Sequence, residues 1–182
     1  MLTPVVDARD PVDPLVVARL GEYSHSVFVR VDARGRPLAY LATYGPDLPI
    51  YDLSVPSAPV LLERVPLPNG VGVHDLYAEE DRLYLNGTDH GFNGTDHGFF
   101  IMDRAGDGWV ASRALPTPYS HASWVGEVAG RRLAVTGDEG IDAYLRVVDV
   151  DPASSGFMTE VGTYQTRREV SIHNMMMFGA AS

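Results

Sequence analysis

Ser24-His25-Ser26-Val27-Phe28-Val29 is the first of four similar segments that decide the fold of this 182-residue chain. The other three are Val73-His74-Asp75-Leu76-Tyr77-Ala78, Ser120-His121-Ala122-Ser123-Trp124-Val125 and Ile172-His173-Asn174-Met175-Met176-Met177. Their histidines are separated by 49, 47 and 52 residues. A period in that range is typical of repeat architectures, in which each repeat is one supersecondary unit. The chain is therefore predicted to be a stack of similar units.

A second landmark keeps the same period. Four aspartates each follow a short apolar run, and three of them precede a turn that contains proline. The four are Asp7, Asp52, Asp103 and Asp149, and the turn after Asp103 contains glycine instead. Two independent landmarks with one period argue against a β-sandwich, which would supply many short strands without repeating both landmarks.

The first complete unit reads as four short strands separated by turns that contain Gly or Pro. The strands span about 26–31, 38–43, 48–53 and 60–65. Apart from a weak window near residues 16–23, no stretch of eleven or more residues keeps a helical period free of Gly and Pro. Four strands in a repeat of 45 to 50 residues are typical of a β-propeller blade. We therefore expect an all-β fold, a β-propeller of four-stranded antiparallel blades.

The landmarks divide the chain into complete and partial blades. We expect the second half of a blade in 1–22, whole blades at about 23–70, 71–118 and 119–169, and only the first strand of another in 170–182. Head and tail would together make a rough fourth blade that lacks one strand. We favour a single partial propeller, completed by a missing remainder or by a second copy in a homo-oligomer, because an open end exposes unpaired strand groups.

The composition argues against several classes of partner. The net charge is −10, all fourteen basic residues are arginine, and no basic stripe stands out, which argues against nucleic acids and anionic membrane surfaces. The absence of cysteine excludes disulfides and thiolate chemistry. No apolar run approaches the roughly eighteen residues of a membrane span, so we expect no membrane insertion. The first nine residues lack the pattern of a signal peptide.

The repeat pattern resembles the LVIVD-repeat β-propellers, and more closely the bacterial surface proteins called choice-of-anchor B. Four segments carry this resemblance, 73–77, 119–125, 145–152 and 171–174, and it covers essentially the whole chain. It implies a propeller displayed outside the cytoplasm, at the cell surface, and often attached through a C-terminal anchor. It implies no catalytic residues. We expect neither a signal peptide nor an anchor in this chain, which is also shorter than the family's propeller.

The four repeated histidines are the sharpest candidates for chemistry. They are His25, His74, His121 and His173. In a propeller, residues at the start of the innermost strands lie in an arc at one mouth of the central channel. Neutral imidazoles in such an arc would bind a divalent transition metal. The alternative is structural, with each histidine bonded to a neighbouring loop or to a buried aspartate such as Asp52 or Asp149. Repetition alone favours the structural role.

A perfect tandem duplication is the second candidate. The heptapeptide Asn-Gly-Thr-Asp-His-Gly-Phe occupies 86–92 and again 93–99. The spacing of the flanking landmarks makes one copy an insertion between second and third strands, on the same face as the histidines. The loop would bind a cation or a sugar through Asp89, His90, Asp96 and His97. We favour a slipped duplication that a surface loop tolerates.

Two further features carry weaker signals. The corresponding loop of the third blade is acidic and would offer calcium the carboxylates of Asp138, Glu139 and Asp142. Their spacing fits no EF-hand, and a solvated acidic loop is the favoured interpretation. The aromatic residues Phe28, Tyr77 and Trp124 occupy equivalent positions in three repeats. We expect them to pack between blades.

Two functional hypotheses follow. The first is a non-enzymatic scaffold without a cofactor, which binds a protein or carbohydrate partner through the loops at the channel mouth. The second is a metal-dependent enzyme, or a metal-binding protein, that uses the histidine arc. An enzyme needs a general acid or base near the metal, and the repeats offer only Asp75 beside His74. The sequence therefore favours the first hypothesis, in which no residue is catalytic.

Overall fold

The computed structural model describes residues 2–68, 71–88, 98–117, 119–165, 167–169 and 171–177. Within them the chain forms fourteen β-strands and almost no helix, which confirms the predicted all-β class. The strands are β1 (Pro4–Asp7), β2 (Leu15–Arg19), β3 (Ser26–Val31), β4 (Pro37–Ala42), β5 (Asp47–Asp52), β6 (Val60–Pro66), β7 (Gly72–Ala78), β8 (Arg82–Thr88), β9 (Gly98–Ala105), β10 (Gly108–Pro116), β11 (Ser120–Val128), β12 (Arg131–Asp138), β13 (Leu145–Asp149) and β14 (Glu160–Tyr164). In these ranges no helix has the length and apolar character that crossing a membrane requires.

The strands form four antiparallel sheets. Sheet 1 contains β1 and β2, while sheets 2, 3 and 4 contain β3–β6, β7–β10 and β11–β14, each in chain order. Each four-stranded sheet is therefore an up-and-down meander, and it lies within one of the sequence repeats 23–70, 71–118 and 119–169. The sheets do not close into a ring among the described residues.

Apolar side chains fill the space between successive sheets. One cluster joins sheets 2 and 3, a second joins sheets 3 and 4, and a third joins sheets 1 and 2. Strand β8 shows how one strand serves two clusters. Leu83 and Leu85 belong to the cluster with sheet 2, whereas Tyr84 between them belongs to the cluster with sheet 4. Alternate side chains of a strand point to opposite faces, so a strand covered on both faces needs a continuous apolar run.

The first strands of sheets 2, 3 and 4 lie side by side. Strand β3 contacts β7, and β7 contacts β11. The ring centroids of Phe28 and Tyr77 are 4.9 Å apart, and those of Tyr77 and Trp124 are 5.3 Å apart. These contacts confirm that the three equivalent aromatic residues pack together across the repeats, and they fix the relative position of the three strand starts.

The C-terminal segment differs from the prediction. Residues 170–182 were expected to supply the first strand of a further blade, but the described part, 171–177, forms no strand. The physical reason is that no described strand pairs with it. It instead packs on sheet 4, where a Cβ atom at Gly137 would lie 2.5 Å from Cγ2 of Ile172, and one at Gly126 would lie 2.8 Å from Cε of Met177.

Candidate metal centre

Local backbone geometry places the repeated histidines at the starts of the first strands. His25 directly precedes β3, and His74 and His121 lie near the starts of β7 and β11. The register of β7 shifts between Val73 and Asp75, and that of β11 shifts between Ser120 and Ala122, so each histidine sits in a bulge. A bulge leaves the extra residue out of the ladder and re-aims its side chain. The side chains of His74 and His121 therefore do not follow the regular alternation of side chains between the two faces of a strand.

The four histidines form a continuous row of rings tilted to one another by 44, 46 and 52°, here called the histidine ladder (His25, His74, His121 and His173). The distances between successive ring centroids are 3.8, 4.0 and 4.1 Å. Each of the first three rings bonds through Nδ1 to the backbone oxygen of the next histidine, at N–O distances of 3.2, 3.2 and 2.9 Å. The structure thus brings all four predicted histidines together, and it links them through the backbone.

The structural alternative is right that these histidines bond the neighbouring repeat, and wrong that they bond Asp52 or Asp149. The carboxylate of Asp52 accepts from the backbone N–H of Ser54, and that of Asp149 accepts from the hydroxyl of Ser154. These aspartates stabilise turns at the far ends of their strands, which keeps them away from the strand starts where the histidines lie. The backbone carbonyl of the next repeat takes the Nδ1 bond instead.

The hydrogen bonds at Nδ1 determine the tautomer. A carbonyl oxygen only accepts, so Nδ1 carries the hydrogen, and Nε2 of the neutral ring is left with a lone pair. Burial lowers the pKa of His74 to about 4, with the neighbouring imidazoles of His121 and His25 contributing. Burial also lowers the pKa of His121. Both rings are therefore neutral at pH 7, which is the form that binds metals.

Glu139 adds a carboxylate to the ladder. Its Oε2 lies 3.3 Å from Nε2 of His121, and its Oε1 lies 3.7 Å from Nε2 of His173. The Nε2 atom of His121 is fully buried and makes no hydrogen bond. One ligand atom each from His74, His121 and Glu139 lie within 4.8 Å of one another. Two imidazoles and one carboxylate are the ligand set of a common class of catalytic zinc sites.

The geometry fits a metal after a small movement. Ligand atoms about 2.1 Å from a tetrahedral ion are about 3.4 Å apart, so atoms that lie within 4.8 Å of one another must approach by up to about 1.4 Å. The histidines are held by their Nδ1 bonds and by burial, whereas the side chain of Glu139 is 47% exposed. Oε2 of Glu139 is already 3.3 Å from Nε2 of His121, so the distances that must shorten are those to the ligand atom of His74. A hydrogen bond from Nδ1 to a carbonyl also commonly orients a metal-binding histidine and fixes its tautomer.

Sequence reasoning treated Glu139 as part of a solvated acidic loop. Its neighbours do bond arginines: Oδ2 of Asp138 accepts from Arg146 at 3.0 and 3.1 Å, and Asp142 accepts two bonds from Arg168 at 2.6 and 3.0 Å. Glu139 itself faces the ladder. Its backbone N–H donates to the oxygen of Tyr119, which extends the pairing of β12 with β11 beyond the end of both strands. That pairing places Glu139 beside His121, and no local sequence pattern reveals it.

A cavity of about 330 Å³ lies against the histidine ladder. Its walls combine all four histidines with aromatic, apolar and small polar residues. The wall residues other than the histidines are Ser26, Val27, Phe28, Asp75, Leu76, Ser123, Trp124, Asn174 and Met175. The hydroxyl of Ser26 donates to Oδ1 of Asp75 at 2.5 Å, and burial raises the pKa of Asp75. Asp75 therefore shares the cavity with His74, as the sequence order suggested.

A buried amide supports this region from β8. Asn86 is inaccessible to solvent and donates to the hydroxyl of Ser123 at 2.9 Å and to the backbone oxygen of Asp75 at 3.2 Å. Its Oδ1 accepts from the hydroxyls of Ser120 and Thr136 at 3.0 and 3.2 Å. Asn86 opens the first copy of the duplicated heptapeptide. Its role here is to tie β8 to β11 and β12 next to His121.

The predicted ligand-loop residues Asp89, His90, Asp96 and His97 fall outside the described residues. Their proposed binding of a cation or a sugar stays a prediction.

No protein-family model matches this sequence, and no curated protein matches it. The function must therefore be inferred from the side chains and their arrangement.

Proposed function

We propose that this chain is part of a β-propeller that binds one divalent transition metal at the mouth of its channel, through His74, His121 and Glu139. The observation that carries the proposal is the buried Nε2 atom of His121. It has a lone pair, no hydrogen bond, and a carboxylate oxygen 3.3 Å away. An unpaired buried polar atom costs about 1–3 kcal/mol, and a metal ion would remove that cost.

The propeller interpretation is supported by the order and contacts of the sheets. Three four-stranded meanders follow one another along the chain, and their first strands β3, β7 and β11 are neighbours. Blades of a propeller are arranged in this way, with the first strand nearest the axis. The histidine ladder follows these strand starts, so it would line one end of the channel.

The ligand set favours a particular kind of metal. Imidazole suits zinc, copper, iron and nickel, whereas calcium takes six to eight oxygen ligands. Two neutral imidazoles and one carboxylate give a divalent ion a site of net charge +1. Zinc fits a three-ligand site with a fourth, open position. We therefore propose zinc, or a first-row ion of similar size, rather than calcium.

Calorimetric titration of the EDTA-treated protein with zinc tests the proposal. We expect one ion per chain and at least about tenfold weaker binding in Glu139→Gln, a change that keeps the shape of the side chain. Glu127→Gln is the matched control, because Glu127 is an exposed glutamate on β11. Absence of zinc binding by the native protein, or equal affinity in Glu139→Gln, would refute the site.

The same titration separates this site from a four-histidine arc. His25 is at the far end of the ladder from Glu139. Its Nδ1 bonds the backbone oxygen of His74, so this bond orients the imidazole of His25 and not the imidazole of His74. We expect His25→Gln to bind zinc with nearly native affinity. A large loss would favour the four-histidine arc.

A binding scaffold for a protein or glycan at the cell surface is the second candidate, and three tyrosines favour it. Tyr23, Tyr44 and Tyr119 are 58, 39 and 62% exposed. The Tyr44 ring is 5.7 Å from that of His25, so one exposed aromatic ring lies beside the ladder, and the backbone oxygen of Tyr119 accepts from the N–H of Glu139. Such rings are enriched in interfaces. Screening on a glycan array tests this role, with binding lost in the Tyr23→Ala/Tyr119→Ala double variant.

A further inference from the structure

We propose that the open face of sheet 2 (Val27, Val29 and the backbone oxygen of His25) binds the segment 171–177 of a second copy of this chain, so that copies associate head to tail. The inference rests on the contacts between successive repeats. It does not depend on the proposed metal site, because Val27, Val29 and His25 are not among the proposed ligands.

The interface between sheets 2 and 3 shows how the first strand of a sheet is normally covered. Leu76 and Ala78, two and four positions after the histidine of β7, are buried in the cluster that joins sheet 3 to sheet 2. Strand β7 contacts both β3 and β4, and β11 contacts both β7 and β8 in the same way. The first strand of each sheet is therefore covered by the first two strands of the sheet before it.

The equivalent positions of sheet 2 are exposed. Val27 and Val29, two and four positions after His25, are 40 and 53% exposed. Their cross-strand partners on β4 are Leu41 and Ala39, which pack in the cluster between sheets 1 and 2. The valines therefore lie on the face that sheet 1 begins to cover. Sheet 1 contains β1 and β2, which match the third and fourth strands of a repeat, so a first strand is what this face needs.

The segment 171–177 already takes the place of a first strand at the other end of the molecule. Met175 and Met177, two and four positions after His173, pack on sheet 4. A Cβ atom at Gly137 would lie 2.5 Å from Cε of Met175, and one at Gly126 would lie 2.8 Å from Cε of Met177. The segment thus covers sheet 4 with the same positions that β7 and β11 use.

The side chain of Met176 is available for a further contact, since it is 55% exposed. Its equivalent in sheet 2 is Phe28, which packs against the cluster between sheets 2 and 3 and against the ring of Tyr77. Met176 would make the matching contact with Val27 and Val29 of a second copy. Each copy therefore carries both exposed apolar surfaces of one interface of the type that joins its own sheets.

The two ends of the histidine ladder match in the same way. In each of the three interfaces within the chain, Nδ1 of one histidine bonds the backbone oxygen of the next. At His173 the Nδ1 atom instead bonds the side-chain oxygen of Asn174 at 3.2 Å, and the His173 side chain is 60% exposed. His25, at the other end, is also exposed. Nδ1 of His173 would exchange Asn174 for the backbone oxygen of His25 in the second copy.

Such a contact joins two different surfaces. Heterologous contacts of this kind close into a ring when the rotation between copies allows it, and otherwise extend into a chain of copies. The shared unit takes its first strand position from one copy and β1 and β2 from the other. The described residues supply no second strand to it. We therefore expect the association to be weaker than the interfaces within the chain and to depend on protein concentration.

Sedimentation velocity of the full chain in EDTA, from micromolar to submillimolar concentration, tests the proposal. We expect the average mass of the native protein to rise over this range. Val29→Arg and Met176→Arg should each weaken the association by at least about tenfold, because an arginine there would be buried without a partner. Val110→Arg is the matched control, since Val110 is 50% exposed on β10, the last strand of sheet 3.

An equimolar mixture of the two variants tests the head-to-tail arrangement. Val29→Arg keeps a native 171–177 segment, and Met176→Arg keeps a native open face. We expect the mixture to form a complex with one chain of each variant and nothing larger. Circular dichroism checks that both variants fold, and Val27→Arg provides a second substitution on the open face.

Three results would overturn the inference. A native protein that stays monomeric throughout would show that something other than a second copy covers the open face. Native-like association of both arginine variants would place the contact elsewhere. Association of the native protein without a mixed complex of the variants would exclude the head-to-tail arrangement. The metal site stands or falls separately, because EDTA is present throughout and zinc titration tests that site.

Discussion

Gly137 and Ile172 approach each other so closely that a Cβ atom at position 137 would lie 2.5 Å from Cγ2 of Ile172. The contact holds the C-terminal segment against β12. That segment supplies the backbone oxygen of His173, which accepts the Nδ1 bond of His121 at 2.9 Å. A backbone position in sheet 4 is therefore linked to the orientation of a proposed metal ligand.

The substitution Gly137→Ala tests this link. The added methyl group must displace the branched side chain of Ile172, which we expect to cost about 1–3 kcal/mol of unfolding free energy and to weaken zinc binding. Urea unfolding and zinc titration measure the two effects. Gly108→Ala is the control, because a Cβ there meets no atom closer than 4.0 Å. Equal destabilisation by both changes would contradict the packing argument.

The stability of the metal-free protein should decrease in mild acid. The pKa of His74 in the folded state is about 4, below its ordinary value of 6.5. Between these values the unfolded chain binds a proton that the folded protein does not, so stability is present above pH 6.5 and is lost as the pH falls towards 4. The loss approaches about 3 kcal/mol for a shift of this size.

Urea unfolding at pH 7.0 and pH 4.5 measures this loss. The variant His74→Gln has no group that titrates at this position, so its stability should fall by less than that of the native protein over the same interval. Parallel losses in the two proteins would show that other groups cause the acid sensitivity.

Metal binding should stabilise the folded protein and be reversed by chelation. A ligand that binds only the folded state at 100 times its Kd adds about 2.7 kcal/mol to the unfolding free energy. We expect zinc to raise the Tm of the native protein and EDTA to restore the original value. Glu139→Gln should show a much smaller rise at the same zinc concentration. A rise of equal size would place the ion elsewhere.

Arg168 should affect metal affinity without affecting stability. It bonds the carboxylate of Asp142 in the loop that carries Glu139, and the two side chains are 77 and 45% exposed. Exposed ion pairs contribute about 0–1 kcal/mol. We expect the free energy of unfolding of Arg168→Gln to lie within about 0.5 kcal/mol of the native value. We expect the variant to bind zinc several-fold more weakly, because the loop loses the ion pair that holds it. Unchanged zinc affinity would exclude this positioning role.

Loss of the buried amide of Asn86 should be strongly destabilising. Asn86→Ala removes four hydrogen bonds and leaves the hydroxyls of Ser120, Ser123 and Thr136 without this partner. Each unsatisfied buried group costs about 1–3 kcal/mol, so we expect a total loss above about 3 kcal/mol in urea unfolding. Asn174→Ala, at an exposed asparagine beside His173, should change stability little.

Most of the fold that the sequence predicts follows from the periodic histidines. Because a strand starts at or near His25, His74 and His121, the sequence predicted where the three four-stranded sheets begin, and it placed Phe28, Tyr77 and Trp124 at equivalent positions. Turn residues then divided each repeat into strands. The family resemblance and the cell-surface location that it implies stay predictions.

The contacts of the site could not be read from the pattern. Nothing in the local sequence shows that His74 and His121 sit in bulges, since a bulge is a property of the pairing of two strands. The same pairing brings Glu139 beside His121, although the acidic loop looks solvated. The segment 171–177 resembles the earlier strand starts in sequence, but a strand also needs a neighbour, which no local pattern reveals.

The histidine ladder has a direction. Each of the first three imidazoles donates to the repeat that follows, and the carbonyls of His74, His121 and His173 accept from the repeat that comes before. The three junctions therefore have the same chemistry, with a donor on one side and an acceptor on the other. A duplicated unit inserted between two existing ones would carry both the imidazole donor and the carbonyl acceptor that its two junctions need. A protein of this kind can therefore gain a repeat by gene duplication without a new type of contact between units.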